Sequence, residues 1–109
     1  MGGGYAAMGG LTSIDSAVKK AELYIFVNPE LIGKGIGTKA TKQLCQYGFT
    51  ELGLEKIYLL TDRGNVAAQK VYEKIGFRLE GTLRNEILTR TGQISDRLYY
   101  GLLKHELIE

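Results

Sequence analysis

A chain of 109 residues with a formal net charge of +2 is one domain's worth of sequence, long enough for a single core and too weakly charged for electrostatics to draw it to nucleic acid or to a membrane surface. One cysteine, Cys45, and one histidine, His105, exclude an internal disulfide and a zinc site built from this chain alone, and no apolar run approaches the roughly 20 residues of a spanning helix. Since the first residues also lack the basic and apolar regions of a signal peptide, the chain is expected in the reducing cytoplasm, with no metal, no nucleic acid and no membrane as partner.

Residues 1–10, MGGGYAAMGG, are half glycine and without periodicity, so they read as a flexible leader ahead of a single domain over 11–109. Leu11 to Ile14 is a short strand candidate, and Asp15 to Lys20 a turn leading into the next strand. In that strand a period of two sets Leu23, Ile25 and Val27 on one face and Glu22, Tyr24 and Phe26 on the other. Asn28-Pro29 ends it. Three glycines in the register Gly33-x-Gly35-x-Gly37 then open a helix over Gly35 to Leu52, whose inward positions are read as Ile36, Ala40, Leu44, Tyr47 and Leu52.

Gly53 stands where a left-handed cap is usual, and Lys56 to Thr61 is a short apolar run suited to a buried parallel strand, which completes a βαβ unit. Asp62-Arg63-Gly64 turns the chain, Asn65 is a plausible N-cap, and Val66 to Ile75 reads as a second helix with Ala67 or Ala68, Val71, Tyr72 and Ile75 inward, ended by Gly76. Strands over about Phe77 to Thr89 and Ile94 to Lys104 are joined by Arg90-Thr91-Gly92-Gln93, a hairpin turn, and Glu106 to Glu109 is read as a mobile tail.

The strand-to-helix corner at Gly33 to Thr38 is built to hold a phosphate. The first N–H groups of a helix have no intrahelical acceptor, the aligned peptide dipoles leave about half a positive charge there, and glycines let an anion approach the backbone. Lys34 and Lys39 add mobile positive charge beside it. The Walker loop, G-x-x-x-x-G-K-[ST], fails at both ends, since Asn28 stands at its first glycine and Gly35 at its hydroxyl. The dinucleotide fingerprint G-x-G-x-x-A is formally met by Gly35, Gly37 and Ala40, with Asp62 at the end of the next strand as a ribose ligand, but Asn28 to Lys34 separate its first glycine from the strand and the chain holds only one βαβ unit.

A second motif separates these readings. Ile32-Gly33-Lys34-Gly35-Ile36-Gly37 resembles the Arg/Gln-x-x-Gly-x-Gly/Ala signature of the GNAT superfamily of N-acetyltransferases, and Asn65-Val-Ala-Ala-Gln-Lys-Val-Tyr72-Glu-Lys-Ile-Gly76-Phe77 resembles its Asn…Tyr-Glu-Lys-x-Gly-Phe helix. The likeness runs from about Ala21 to Leu107 and is strongest to the branch acting on ribosomal-protein N-termini, polyamines and small amino sugars. It implies an α/β (α+β) fold with a GNAT-type mixed sheet, a central βαβ unit and a C-terminal antiparallel hairpin, shortened at the N-terminus. The implied reaction moves the acetyl group of acetyl-coenzyme A directly to a primary amine.

By the same resemblance the strand ending in Phe26-Val27 splays from Lys56 to Thr61, and the pantetheine arm pairs with backbone groups of Phe26 and Val27. A backbone N–H near Val27 then faces the thioester oxygen. The pyrophosphate lies on the amides of Ile32, Gly33, Lys34, Gly35, Ile36, Gly37 and Thr38. Asn65 bonds the arm, and Tyr72 is the general acid for the departing thiolate. Glu22, on the opening strand, is the candidate general base. Without the resemblance, Phe26, Val27 and Tyr72 are equally core residues, Asn65 a cap, Glu22 a solvated carboxylate, Cys45 a packed thiol and His105 a surface residue.

Two departures accompany the likeness. Ile32 stands where the family has Arg or Gln, which removes a side-chain hydrogen bond to the pyrophosphate. The family also carries a strand, two helices and most of a hairpin before the opening strand, and one wall of the acceptor site lies there. A catalytically impaired coenzyme A binding or interaction module is therefore the alternative reading, and the uncovered sheet edge and helix face point to a homodimer.

Overall fold

The computed structural model describes residues 7–31 and 35–108. Ile32, Gly33 and Lys34, three of the expected pyrophosphate ligands, and most of the expected leader lie outside the described residues. The elements run β1 (Ala7–Asp15), β2 (Lys20–Val27), a 3-10 turn (Pro29–Leu31), α1 (Ile36–Thr50), β3 (Lys56–Asp62), α2 (Val66–Ile75), β4 (Arg78–Leu88), β5 (Ile94–Leu103) and a second 3-10 turn (Lys104–Glu106). The five strands form one sheet in the order β1-β2-β3-β5-β4, with β2 parallel to β3 and every other pair antiparallel.

Alternation along the strands decides the faces. Ala21, Leu23, Ile57, Leu59, Leu98, Tyr100 and Leu102 are buried on one side, where they meet Cys45 and Phe49 of α1 and Ile75 of α2 in a single cluster. The two helices therefore cover the same face. Opposite it lie Lys20, Glu22, Tyr24, Phe26, Lys56, Tyr58 and Tyr99, over which no helix of the described residues packs. On that bare side Tyr58 and Tyr99 stack at 5.1 Å between centroids, Lys20 lies 5.6 Å from the Tyr58 ring, and Lys56 lies 5.3 Å from the Tyr99 ring and pairs with Glu80.

The turns follow from local chemistry. Asp15 Oδ1 accepts the N–H groups of Ala17 and Val18 at 3.0 Å, Gly53 takes φ +66 after α1, Asn65 Oδ1 caps α2 by accepting the Ala68 N–H at 3.2 Å, and Gly92 sits at φ +83 in the hairpin turn.

Three sequence expectations change. The first strand begins at Ala7, inside the stretch read as a leader, and pairs with β2 from Ala7↔Val27 onward. Its glycines lack side chains of their own, and the Tyr24 ring fills the space a Cβ at Gly10 would need, the Tyr24 hydroxyl lying 2.7 Å from that point. Of the expected inward positions of α1, Leu44 packs on the core and Ile36 and Ala40 are partly buried, but the fully buried residues are Thr41, Cys45, Gly48 and Phe49, and Tyr47 and Leu52 are exposed. Small residues won this face because the helix lies close to the sheet: a Cβ on Gly48 would meet Leu11, Ile57 and Leu54 side-chain carbons at 2.9 to 3.1 Å. The tail, read as mobile, is docked as far as Ile108. Glu106 accepts the Leu103 N–H at 2.8 Å and pairs with Arg78 at 3.1 Å, Leu107 packs on the core, and the Ile108 N–H donates to Ile75 O at 2.9 Å.

Candidate active site

β2 and β3 are paired only over Lys20↔Lys56, Ala21↔Ile57 and Glu22↔Tyr58. Beyond Glu22 the two parallel strands part, and β2 keeps β1 alone as a neighbour as far as Val27. Asn28 then turns the chain out of the sheet: its Oδ1 accepts the Glu30 N–H at 3.0 Å and its carbonyl accepts the Leu31 N–H at 2.8 Å. A gap opened by parting strands needs side walls, and α1 and α2 supply them. The resulting cleft, of about 430 Å³, is lined by Ile25, Val27 and Leu31 from β2 and its turn, by Gly35, Gly37, Thr38 and Thr41 at the start of α1, and by Asn65, Ala67, Ala68, Val71 and Tyr72 of α2.

The α1 end of the cleft is a helix N-terminus that has no side-chain cap among the described residues. Gly35 is the N-cap at φ +76, a left-handed conformation that a side chain would strain, and it offers no side-chain cap to the first turn. The amides of Ile36, Gly37 and Thr38 are thus without an intrahelical partner, and no acidic residue stands in that turn to compete for them. Gly37 serves a different purpose: a Cβ there would come within 3.2 Å of Val27 Cγ2, so its absence keeps the helix end and the strand close without filling the cleft mouth.

At the other wall Tyr72 is held by aromatic neighbours, with Phe77 at 5.8 Å edge-on and Tyr100 at 6.2 Å tilted. Tyr100 is itself fixed, its hydroxyl donating to Glu73 Oε2 at 3.1 Å. Burial raises the Tyr72 pKa, so its hydroxyl is a proton donor and not a phenolate throughout the neutral range. Asn65 has its Oδ1 engaged in the cap, which leaves its amide NH₂ as the group free to donate into the cleft. The start of α2 is braced against the hairpin: Asp62 Oδ1 accepts from Gly64 N and Ser95 Oγ at 2.9 and 2.8 Å, while Asp96 holds both Arg63 and the Asn85 N–H, the latter at 2.9 Å.

The fold therefore brings Val27, Gly35, Gly37, Thr38, Asn65 and Tyr72, named from sequence, to one cleft. Ile36 opens α1 beside it without lining it, and Phe26 turns its side chain to the bare face, where it is 65% exposed. Glu22 also faces that side, at the last paired position before the strands part, so it is not beside Tyr72 within the cleft. Its charge is felt by Tyr58, whose pKa rises first through burial and then through Glu22. Cys45 is a packed thiol: it is fully buried in the core and desolvation pushes its pKa up to about 12. His105 is exposed at the C-terminal turn. Sequence reasoning missed Thr41, Ala68 and Leu31 as cleft residues, although Thr38 and Thr41, like Asn65, Ala68 and Tyr72, recur at the three-to-four-residue spacing that puts side chains on one helical stripe. Among the described residues no cluster of His, Cys, Asp and Glu is placed to hold a metal, and no helix is long and apolar enough to cross a membrane.

Comparison with known proteins agrees with this geometry. The spermidine N(1)-acetyltransferase of Escherichia coli is 37% identical over 98 residues, 90% of this chain and 52% of that protein. The protein p20 of Bacillus licheniformis, described as an N-acetyltransferase, is 31% identical over 97 residues, 89% of this chain and 54% of its own length. Among solved structures, the dodecameric spermidine N-acetyltransferase of Vibrio cholerae superposes with a TM-score of 0.81 at 34% identity, over 86% of this chain and 54% of that one. The chain spans about half the length of the curated relatives it matches. The profile of the acetyltransferase (GNAT) domain matches residues 2–78, and the chain belongs to the GNAT family of acetyltransferases.

Proposed function

We propose that the chain binds acetyl-coenzyme A in the cleft between β2, α1 and α2 and transfers the acetyl group directly to a primary amine. One observation carries this reading: a split between parallel strands leads to a helix N-terminus with no side-chain cap among the described residues, a layout that suits a thiol arm and a diphosphate along one continuous cleft. The amides from Gly35 to Thr38, with the glycine and lysine just before them in sequence, hold the pyrophosphate. The arm runs past Asn65 between Val27 and α2, with the backbone of Phe26 and Val27 beside it.

In the chemical step the amine nitrogen attacks the thioester carbon. A backbone N–H near Val27 stabilises the oxyanion that forms, the carbon–sulfur bond breaks, and Tyr72 protonates the departing thiolate. A phenol of ordinary pKa about 10, raised further by burial, stays protonated until the thiolate demands its proton. The amine must lose a proton before or as it attacks. Glu22, at the vertex of the split and on the bare face, is the base for an amine that arrives from that side.

Polyamines are the first acceptors to try, because the Escherichia coli relative acts on spermidine by its name. In this reading the chain is cytoplasmic and a homodimer: β1 is an edge strand, and Met8, Tyr24 and Phe26 leave an exposed apolar row on the bare face. A stable monomer in dilute solution by sedimentation would remove the dimer. Titration calorimetry with coenzyme A, followed by thiol release from acetyl-coenzyme A over a panel of polyamines, amino sugars and N-terminal peptides, tests the main reading. Binding with turnover supports it, binding without turnover on any acceptor makes the chain a coenzyme A module, and absence of binding refutes both.

A further inference from the structure

The buried face of α1 holds a group that the fold leaves unsatisfied. Thr41 is 0% exposed, and its Oγ1 is the buried side-chain oxygen without a hydrogen-bond partner among the described residues. A helical threonine can return its hydroxyl to the carbonyl four residues back, and this one does not. An unpartnered buried hydroxyl destabilises the protein that carries it, and such a group is satisfied by an ordered water or by a ligand.

Thr41 is a residue of the cleft lining, one turn beyond Thr38 and on the helix facing Asn65, Ala68 and Tyr72. The polar side chains of the lining divide the hydrogen-bonding work unevenly. Asn65 has spent its oxygen on the α2 cap and so donates to the arm, while the Tyr72 hydroxyl is kept for the thiolate in the reading above. An arm with amide N–H groups also needs an acceptor, and the Thr41 hydroxyl, with two free lone pairs, is one. The wall opposite is β2 beyond Glu22, which is paired with β1 alone and so has no second sheet neighbour along this cleft.

We propose that Thr41 is a ligand-binding residue of this cleft, its Oγ1 accepting a hydrogen bond from an amide N–H of the pantetheine arm. The proposal rests on the coenzyme A reading above. Its signature is a pair of opposite signs: the hydroxyl costs stability in the free protein and gives affinity in the complex.

The test compares wild type with Thr41→Val and Thr41→Ser by calorimetry, with acetyl-coenzyme A and, as a probe lacking the arm, adenosine 3′,5′-bisphosphate, and by thermal unfolding without ligand. Thr41→Val is expected to unfold at a higher temperature than wild type, to bind acetyl-coenzyme A about tenfold more weakly, and to bind the bisphosphate with unchanged affinity. Thr41→Ser keeps the hydroxyl and should retain the wild-type affinity for acetyl-coenzyme A. Equal affinity of wild type and Thr41→Val for acetyl-coenzyme A overturns the proposal while leaving the cofactor reading intact. So does a serine variant as weak as the valine one, since methyl packing would then be the cause. If the wild-type chain binds neither ligand, the cofactor reading falls and this inference falls with it.

Discussion

Replacing Tyr72 by phenylalanine separates its chemistry from its packing, because the structure gives ring and hydroxyl different duties. The ring is fixed by Phe77 at 5.8 Å and Tyr100 at 6.2 Å, and both contacts survive in Tyr72→Phe. Stability should therefore stay close to wild type. Truncation to alanine would forfeit two aromatic pairs worth about 0.5 to 1.5 kcal/mol each, together with the burial of a half-covered ring, for a loss of roughly 3 kcal/mol. That is a large share of a stability that for domains of this size is about 5 to 15 kcal/mol, so alanine tests the fold and phenylalanine the reaction. A positioned general acid contributes about a hundredfold to ten-thousandfold, or roughly 2.7 to 5.4 kcal/mol of barrier, and kcat should fall within that range in Tyr72→Phe with calorimetric affinity for coenzyme A unchanged. The pH profile adds a second reading. Burial raises the Tyr72 pKa, so its alkaline limb in wild type lies above the ordinary phenol value of about 10 and disappears in the variant. An unchanged kcat in a folded Tyr72→Phe would refute the assignment, whatever the affinity.

Cys45 titrates near its ordinary value of 9.0 in the unfolded chain and at about 12 when folded. The folded value is the higher, so the contribution is complete below pH 9 and is lost as pH rises toward 12, about 1.4 kcal/mol of it by pH 10; denaturant unfolding of wild type against Cys45→Ala, followed from pH 8 to pH 10, should show wild type losing more stability than the variant by about that amount. Asn65→Asp keeps the oxygen that caps α2 and places a negative charge at a favourable helix end, so the melting temperature should hold, while loss of the NH₂ donor lowers coenzyme A affinity; equal affinity would reduce Asn65 to a cap. Asp96 is held below the ordinary carboxylate range first by the Asn85 N–H, then by Arg63 and Arg84. Because its folded pKa is depressed, its clip on the hairpin is complete above the ordinary value of 3.8 and is lost as pH falls below it. Acid titration of amide exchange at Asn85 should show opening in wild type, and exchange already raised at neutral pH in Asp96→Ala.

What the sequence made legible is what depends on a few neighbouring residues. The period of two in β2, the glycine after α1, the Asn65 cap and the glycine of the hairpin turn each act within a turn's length, and the structure places each where its chemistry predicts. The tertiary choices were harder to read. Tyr47 and Leu52 are apolar at helical spacing, yet the sheet selected the stripe of Thr41, Cys45 and Gly48, because backbone proximity to Ile57 and Leu54 outweighed side-chain hydropathy. Nor does a glycine-rich segment declare itself a strand until Tyr24, on the neighbouring strand, is seen to cover it.

The cleft belongs to the second kind. No residue of β2 or β3 encodes their separation; it follows from a pairing that stops at Glu22 and Tyr58 while β2 continues along β1 to Val27, so the gap is a property of three strands together. This geometry also accounts for the division of roles among residues that the sequence set side by side. Val27 and Glu22 lie on one strand with opposite parity, so the first faces the helices and the cleft and the second faces the bare side. In the proposed reaction a strand that opens on one side only serves donor and acceptor from its two faces, and the odd spacing of Glu22 from Val27 keeps the proposed base out of the cleft that Tyr72 lines.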